Sequence, residues 1–186
     1  MISILFIRHG ATAGNLEKRY IGSTDEPLCD TGILQVKKIK EQNFHPDYIF
    51  VSPMLRTRQT TQHIFPNMQY TVVDDFAEMD FGIFEGKSAA ELANNKEYRL
   101  WVDSMCLTPV PGGEDVKKFK MRCCKAFEKI IKNVPDNACV ALVIHGGVIM
   151  SIMEEYAKPK RSFYDYQIAN GQYILCKFDK DAININ

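Results

Sequence analysis

Cys139-Val140-Ala141-Leu142-Val143-Ile144-His145-Gly146-Gly147 decides the fold class. Six residues without a charge or an amide, followed by a polar glycine turn, read as a strand buried on both faces. Such a strand belongs inside a sheet with helices on each side, and the rest of the chain supplies candidates for both. Ile2–Arg8 is a second apolar run that empties into Arg8-His9-Gly10. Residues 47–51 form another strand, stopped by Ser52-Pro53. Residues 70–73 and 172–178 read as two more. Between them, Ile33, Val36 and Ile39 fall at helical spacing, with Asp30 or Thr31 as the N-cap. Residues 56–65 and 148–156 read as helices, and Val116, Phe119, Cys123, Phe127 and Ile130 mark the clearest amphipathic helix. This alternation predicts an α/β fold, a three-layer α/β/α sandwich with a mostly parallel central sheet. Residues 74–113, mixed in pattern and rich in turn formers, are expected to cover one end of the sheet as a cap or lid within a single domain spanning 1–186.

Composition narrows the function. The chain has 186 residues, 46% of them hydrophobic and 25% charged, the balance of an ordinary globular domain rather than a disordered one. Twenty-three Lys plus Arg offset 23 Asp plus Glu, which disfavours a nucleic-acid binder but leaves room for a local cationic pocket. No apolar run approaches the roughly 18 residues of a membrane helix, and the first residues read as a strand, not a signal peptide. Cys29, Cys106, Cys123, Cys124, Cys139 and Cys176 contain no Cys-x-x-Cys pair. A zinc site or a disulfide framework is less economical than free thiols in a reducing cytoplasm.

Ligands of open α/β sheets bind beyond the carboxyl ends of the strands. Arg8-His9-Gly10, Ser52 to Arg56 and His145-Gly146-Gly147 all fall there. Two of the four histidines occupy this position, each followed by a glycine that would let backbone approach a ligand. One such histidine is most simply a strand-end cap; two in equivalent places point to function. Arg8 and Arg56 add permanent cations whose planar forks match phosphate oxygens, and Gly146-Gly147 would offer amides at a helix start. His9, His145 and Glu78 also admit a reading as three metal ligands, which two neighbouring arginines would oppose.

Four ordered stretches resemble the signatures of the histidine phosphatase superfamily, in its phosphoglycerate mutase-like branch: Arg8-His9-Gly10-Ala11-Thr12 with Asn15; Ser52-Pro53-Met54-Leu55-Arg56-Thr57-Arg58-Gln59-Thr60; Glu78 through Gly86; and Val143 through Gly147. The resemblance implies the sandwich already argued from alternation. It also implies that His9 attacks phosphorus and becomes phosphohistidine, while Arg8, Arg56 and His145 surround the transferred group. Glu78 would protonate the ester oxygen and later serve as base toward water; an acid working near neutrality needs apolar neighbours, which Met79, Phe81 and Phe84 could provide. Asp80 and Glu85 are rivals, Glu85 being the more structural in character. Asn15, the backbone of Gly22 and Gly146 are expected substrate contacts. His45 and His63 match nothing and are expected on the surface or in packing.

No cofactor and no metal is called for, since two arginines and a histidine already carry the positive charge. The chain leaves little room for the extra segments of mutases, and Pro111-Gly112-Gly113-Glu114 resembles short bacterial phosphatases, including the α-ribazole phosphatases of the cobalamin nucleotide-loop pathway. The departure Pro27-Leu28-Cys29, where relatives carry Pro-Leu-Thr, moves the helix cap. The expected partner is a small phosphorylated metabolite, with no nucleic acid and no membrane, and a homodimer remains open. The alternatives are a cofactor-dependent phosphoglycerate mutase and a non-catalytic phosphate-binding module.

Overall fold

Successive residues of the two central strands face opposite layers, and both sets are apolar. In β1 (Ile2–Arg8), Ile4 and Phe6 join one core while Leu5 and Ile7 join another. In β4 (Cys139–Ile144), Val140, Leu142 and Ile144 face the first core, and Ala141 and Val143 the second. Period-two alternation with apolar residues on both faces through the middle of each strand is what a sheet between two helical layers requires. Each large side chain so buried contributes roughly 1.5–3 kcal/mol of transfer free energy.

The computed structural model describes residues 1–185. After β1 come α1 (Ala13–Leu16), α2 (Asp30–Lys40), β2 (Tyr48–Val51), α3 (Leu55–Ile64) and β3 (Thr71–Val72). Two single-turn helices, Asp74–Phe76 and Gly82–Phe84, lead to α4 (Ala89–Leu92), α5 (Lys96–Asp103) and α6 (Val116–Asn133). Then follow β4, α7 (Gly146–Tyr156), β5 (Ala157–Lys158), a turn at Phe163–Tyr166, β6 (Tyr173–Asp179) and β7 (Ala182–Ile185). The sheet order is β3-β2-β4-β1-β6-β7-β5. β6 pairs antiparallel with β1 and β7, and the remaining pairings are parallel. Helices α6 and α7 line one face of the sheet, and α2 and α3 the other.

The register positions the chemistry. Arg8 pairs with Ile144 and Val51 with Val143, so β1, β4 and β2 end at the same level. The residues that follow, His9, His145 and Ser52, are therefore brought together although 136 and 93 positions separate His145 from the other two.

Local structure departs from the sequence reading in two places. Helix α2 begins at Asp30 and its capping position is Cys29, whose side chain caps nothing. Cys29 instead ties the entry to the strand-end loop, its amide and its thiol both donating to the Ala11 carbonyl at 3.0 and 3.3 Å. Gly10 and Gly32 explain why the helix must come so close: a Cβ on Gly10 would lie 2.6 Å from the Gly32 carbonyl oxygen. The glycine after His9 thus serves helix packing. Second, β5 and β7, two and four residues long, are too short to be read from pattern and are defined by pairing at the sheet edge. The six cysteines are all free thiols, and no described helix is long and apolar enough to cross a membrane. His45 is exposed and His63 half-buried on α3.

Candidate active site

His9 is 3% exposed and its Nδ1 lies 2.7 Å from the Gly10 carbonyl oxygen. A carbonyl only accepts, so Nδ1 carries the ring hydrogen and Nε2 keeps the lone pair. Burial, then the charges of Arg56 and Arg8, hold this imidazole well below its ordinary pKa. A neutral ring with a free Nε2 near pH 7 is a nucleophile.

His145 packs edge-on against His9, ring centroids 5.1 Å apart. It is fully buried, and burial followed by Arg56, His9 and Arg8 depresses its pKa well below the ordinary value. Its Nε2 lies 2.6 Å from Ser52 Oγ, and Ser52 Oγ already accepts the Met54 amide at 3.3 Å. With the Ser52 hydroxyl donating to Nε2, the His145 ring hydrogen sits on Nδ1. That Nδ1 is buried and without a partner.

Arg56 is 0% exposed, held by Nη1 on the Thr24 carbonyl at 2.8 Å and Nη2 on the Gly22 carbonyl at 2.9 Å. Arg8 donates from Nη1 to the Ile168 carbonyl at 2.6 Å. A Cβ on Gly146 would approach Arg8 Cζ to 3.2 Å, so the guanidinium lies against the head of α7. Burial lowers the pKa of both arginines and the nearby Glu78 carboxylate partly restores it; guanidinium groups stay charged under such shifts. Each arginine retains a buried Nε with no partner. Buried donors are ordinarily satisfied, and orphans mark a missing ligand or a functional role. Of the five such side-chain atoms among the described residues, three belong to Arg8, Arg56 and His145.

Glu78 meets the head of α7. Its Oε2 accepts the Gly147 amide at 3.0 Å and its Oε1 the Met79 amide at 3.0 Å, which sets the carboxylate at the positive end of α7. A Cβ on Gly147 would run into it. Of the two glycine amides expected for an anion, one therefore serves Glu78, and that of Gly146 heads the helix beside Arg8. Asp80 instead accepts Ser23 Oγ and the Gly82 amide. Glu85 accepts the Gly22, Ser23 and Phe81 amides and the Thr24 hydroxyl. Both rivals of Glu78 are engaged in fixing loops.

Gly22 departs from its expected contact with substrate. Its amide is bonded to Glu85 and its carbonyl to Arg56, and a Cβ there would overlap the Met79 carbonyl. The loop is packed too tightly to present a backbone donor. Asn15 lines the cavity, its Oδ1 accepting the Thr12 amide and the Asn170 side chain, each at 3.2 Å.

Arg122 was not marked by the sequence, and Ser52 only as the start of the Ser52–Arg56 cluster at a strand end. Ser52 orients His145, as above. Arg122, on α6, binds Glu114 through two contacts of 2.7 and 2.8 Å and donates to the Asp75, Ala77 and Glu78 carbonyls. It clamps the backbone from which Glu78 projects. The Pro111–Glu114 turn supports the same segment, Ile83 donating to the Pro111 carbonyl and Glu114 to that of Asp80. Glu114 lies just before α6, whose N-cap is Asp115, so the pair joins the helix to the turn that precedes it.

Arg8, Glu78, Gly146 and Gly147 form one end of a cavity of about 600 Å³. Among the described residues no group of three His, Cys, Asp or Glu is placed to hold a metal ion.

Comparisons with known proteins find relatives over most of the chain. The chain is 29% identical to the uncharacterized phosphatase PhoE of Bacillus subtilis, over 83% of this chain and 77% of the relative. It is 30% identical to the 2,3-bisphosphoglycerate-dependent phosphoglycerate mutase 2 of Gloeobacter violaceus, over 83% and 75% respectively. The fold matches a putative α-ribazole-5'-P phosphatase of Escherichia coli, with a TM-score of 0.89 at 19% identity over 100% of this chain and 94% of that one. It also matches phosphoserine phosphatase of Entamoeba histolytica, solved with 3-phosphoglyceric acid, with a TM-score of 0.82 at 22% identity over 100% and 95%. Residues 4–186 match the model of the histidine phosphatase superfamily, branch 1, and with two histidines and two arginines gathered at the strand ends, the chain belongs to that superfamily.

Proposed function

We propose that this phosphatase hydrolyses the phosphomonoester of a small metabolite through a phosphohistidine on His9, without a metal ion. His9 Nε2 attacks phosphorus and the P–O ester bond breaks, while Glu78 gives its proton to the departing alcohol oxygen. Water then attacks the phosphohistidine, Glu78 takes the water's proton, and inorganic phosphate leaves with His9 restored. Charge builds on the equatorial oxygens of the transferred group, and Arg8, Arg56 and His145 are the donors that meet it. Fixed donors in a dry site supply the largest share of such catalysis.

The observation that carries this reading is the set of three buried, unpartnered nitrogens, His145 Nδ1 on the ring packed edge-on against His9 and Arg8 Nε and Arg56 Nε on the two guanidiniums whose charges act on it. Brief incubation with a ³²P-phosphoester followed by denaturation is expected to leave a label that survives alkali and is lost in acid. A His9→Ala protein that labels equally would end the covalent route.

α-Ribazole 5'-phosphate, of the cobalamin nucleotide-loop pathway, is our named candidate substrate, supported by the fold likeness above and by the Pro111–Glu114 turn. The segment of about 74–113 acts as a cap, since Met79, Phe81, Trp101 and Leu107 wall the cavity. Free thiols accord with a cytoplasmic setting. Phosphoglycerate mutase is the second reading, favoured by the names of several relatives. Release of phosphate from p-nitrophenyl phosphate without added bisphosphoglycerate supports the phosphatase, and interconversion of phosphoglycerates only after priming supports the mutase.

A further inference from the structure

The cavity that begins at Arg8 and Glu78 continues into a chamber of different chemistry. One wall is an aromatic cluster: Tyr20 packs tilted against Phe81 and edge-on against Trp101 at 5.2 and 5.6 Å between centroids, and its hydroxyl meets that of Tyr98 at 2.9 Å. The mouth is formed by Met105, Leu107 and Tyr164, which are 66%, 61% and 43% exposed. Large apolar side chains left in water around a concave site mark a binding surface. Trp101 adds a second observation. It is 5% exposed and lines the chamber, yet its indole Nε1 has no hydrogen-bond partner, and a buried indole N–H ordinarily finds one.

The cations of the same cavity are already committed. Arg19 pairs with Glu17 and Glu91 at 2.5 and 2.8 Å. Lys120 pairs with Glu154 at 2.6 Å and lies over the Phe163 ring. Apart from Arg8, Lys18 is the one lining cation with no carboxylate within 4 Å among the described residues, and it is exposed at the rim. A second anionic group on the substrate, such as the carboxylate of an amino acid or a glycerate, therefore meets no buried positive charge.

We infer that the chamber walled by Tyr20, Phe81, Trp101 and Leu107 binds the organic half of the substrate, and that this half is a bulky apolar or aromatic alcohol. The inference rests on the hydrolytic reading above and adds to it the class of ester that the enzyme prefers. Catalysis is carried by the charged end, and selection by the apolar end.

The test compares 3-phenylpropyl phosphate with glycerol 3-phosphate, phosphoserine and 3-phosphoglycerate, all esters of aliphatic alcohols. kcat/KM for the phenylpropyl ester is expected to exceed that for each of the others by about tenfold or more, the discrimination a hydrophobic pocket gives for small apolar increments. Leu107→Ser lowers that ratio by about threefold or more as apolar contact is lost. Trp101 is the only tryptophan in the chain, so its fluorescence reports binding independently of turnover. In His9→Ala protein the phenylpropyl ester should shift that emission at lower concentration than the polar esters do. If His9 becomes labelled but phosphoserine or 3-phosphoglycerate is the better substrate, or if Lys18→Ala selectively abolishes turnover of these two as preferred esters, the chamber assignment falls while hydrolysis stands. If no ester is hydrolysed and no label appears on His9, both fall together.

Discussion

The strand-end cluster and the mouth of the cavity are built on opposite principles. At the strand ends, Arg56 and His145 are wholly buried, and each guanidinium or imidazole is held by at least one hydrogen bond of 2.6–2.9 Å to backbone or to Ser52. At the mouth, Met105 and Leu107 stand in solvent on a segment where Met105 and Cys106 both adopt positive φ, 57° and 61°. Backbone in that region costs of order 1–3 kcal/mol per non-glycine residue and clusters at functional sites. The rigid end faces a group common to all phosphomonoesters, where preorganisation lowers the barrier directly. The mouth faces the part of the substrate that varies, and its contacts are apolar and adjustable.

Removing a rigid-end cation should therefore have the largest effect. Arg56→Ala is expected to lower kcat/KM by about 10²–10³-fold, as for the loss of an oxyanion donor, whichever ester is used. Arg56→Lys recovers little, because a point charge cannot span the Gly22 and Thr24 carbonyls and also present Nε to the anion. Steady-state kinetics on protein with native circular dichroism checks this, and a loss that depended strongly on the organic group would blur the division between the two ends.

Next comes Glu78→Gln. An alkoxide leaves only with a proton, so alkyl esters should lose about 10²-fold or more, the usual size of general acid catalysis. p-Nitrophenolate needs no such help, so its ester should lose far less. Equal losses on both esters would transfer the role to another group.

Ser52→Ala is smaller. Removal of the hydroxyl frees Nε2 of His145 and lets the ring change tautomer, costing about tenfold in kcat, near the value of one buried hydrogen bond. Nitrogen NMR of His145 separates this from a packing effect, because Ser52→Thr retains the hydroxyl and should retain the Nδ1–H form.

The smallest effect is on stability. His9 and His145 both have folded-state pKa values below the unfolded value of about 6.5. The unfolded chain then binds more protons around that pH, so stability is fully present above about pH 6.5 and declines as pH falls through it. Chemical denaturation at pH 7.5 and pH 5.5 should show the decline in the wild type and less of it in His145→Gln. A phosphate ion in the site should reduce it as well, by favouring the protonated ring.

Much of the architecture could be read without coordinates. The unbroken apolar run of β4 required helices on two faces, and the Val116–Ile130 periodicity marked the helix that covers one of them. The short strands β5 and β7 could not be read, since nothing in four or fewer residues distinguishes a strand from a loop until a neighbour pairs with it. Of the residues expected at the site, Arg8, His9, Arg56, Glu78, Gly146 and His145 were named from motif and strand-end position, and the structure sets His9 against His145 and places Arg8, Glu78 and Gly146 on one cavity. Gly22 failed as a ligand contact because its amide was already engaged by Glu85, a contact across 63 residues. Arg122 escaped notice because a lysine- and arginine-rich helix face looks like solvated surface until the Asp75–Glu78 carbonyls are seen against it.

The amino-acid order by itself determined the layers, the strand-end location of the chemistry and the residue types available to hold a phosphoryl group, because periodicity and side-chain chemistry are local properties. Only the tertiary structure decided which nitrogen of each histidine is free, which carboxylate sits at the head of α7 and which aromatic rings wall the chamber. Those follow from hydrogen bonds and packing between segments far apart in the chain, and no local pattern encodes them.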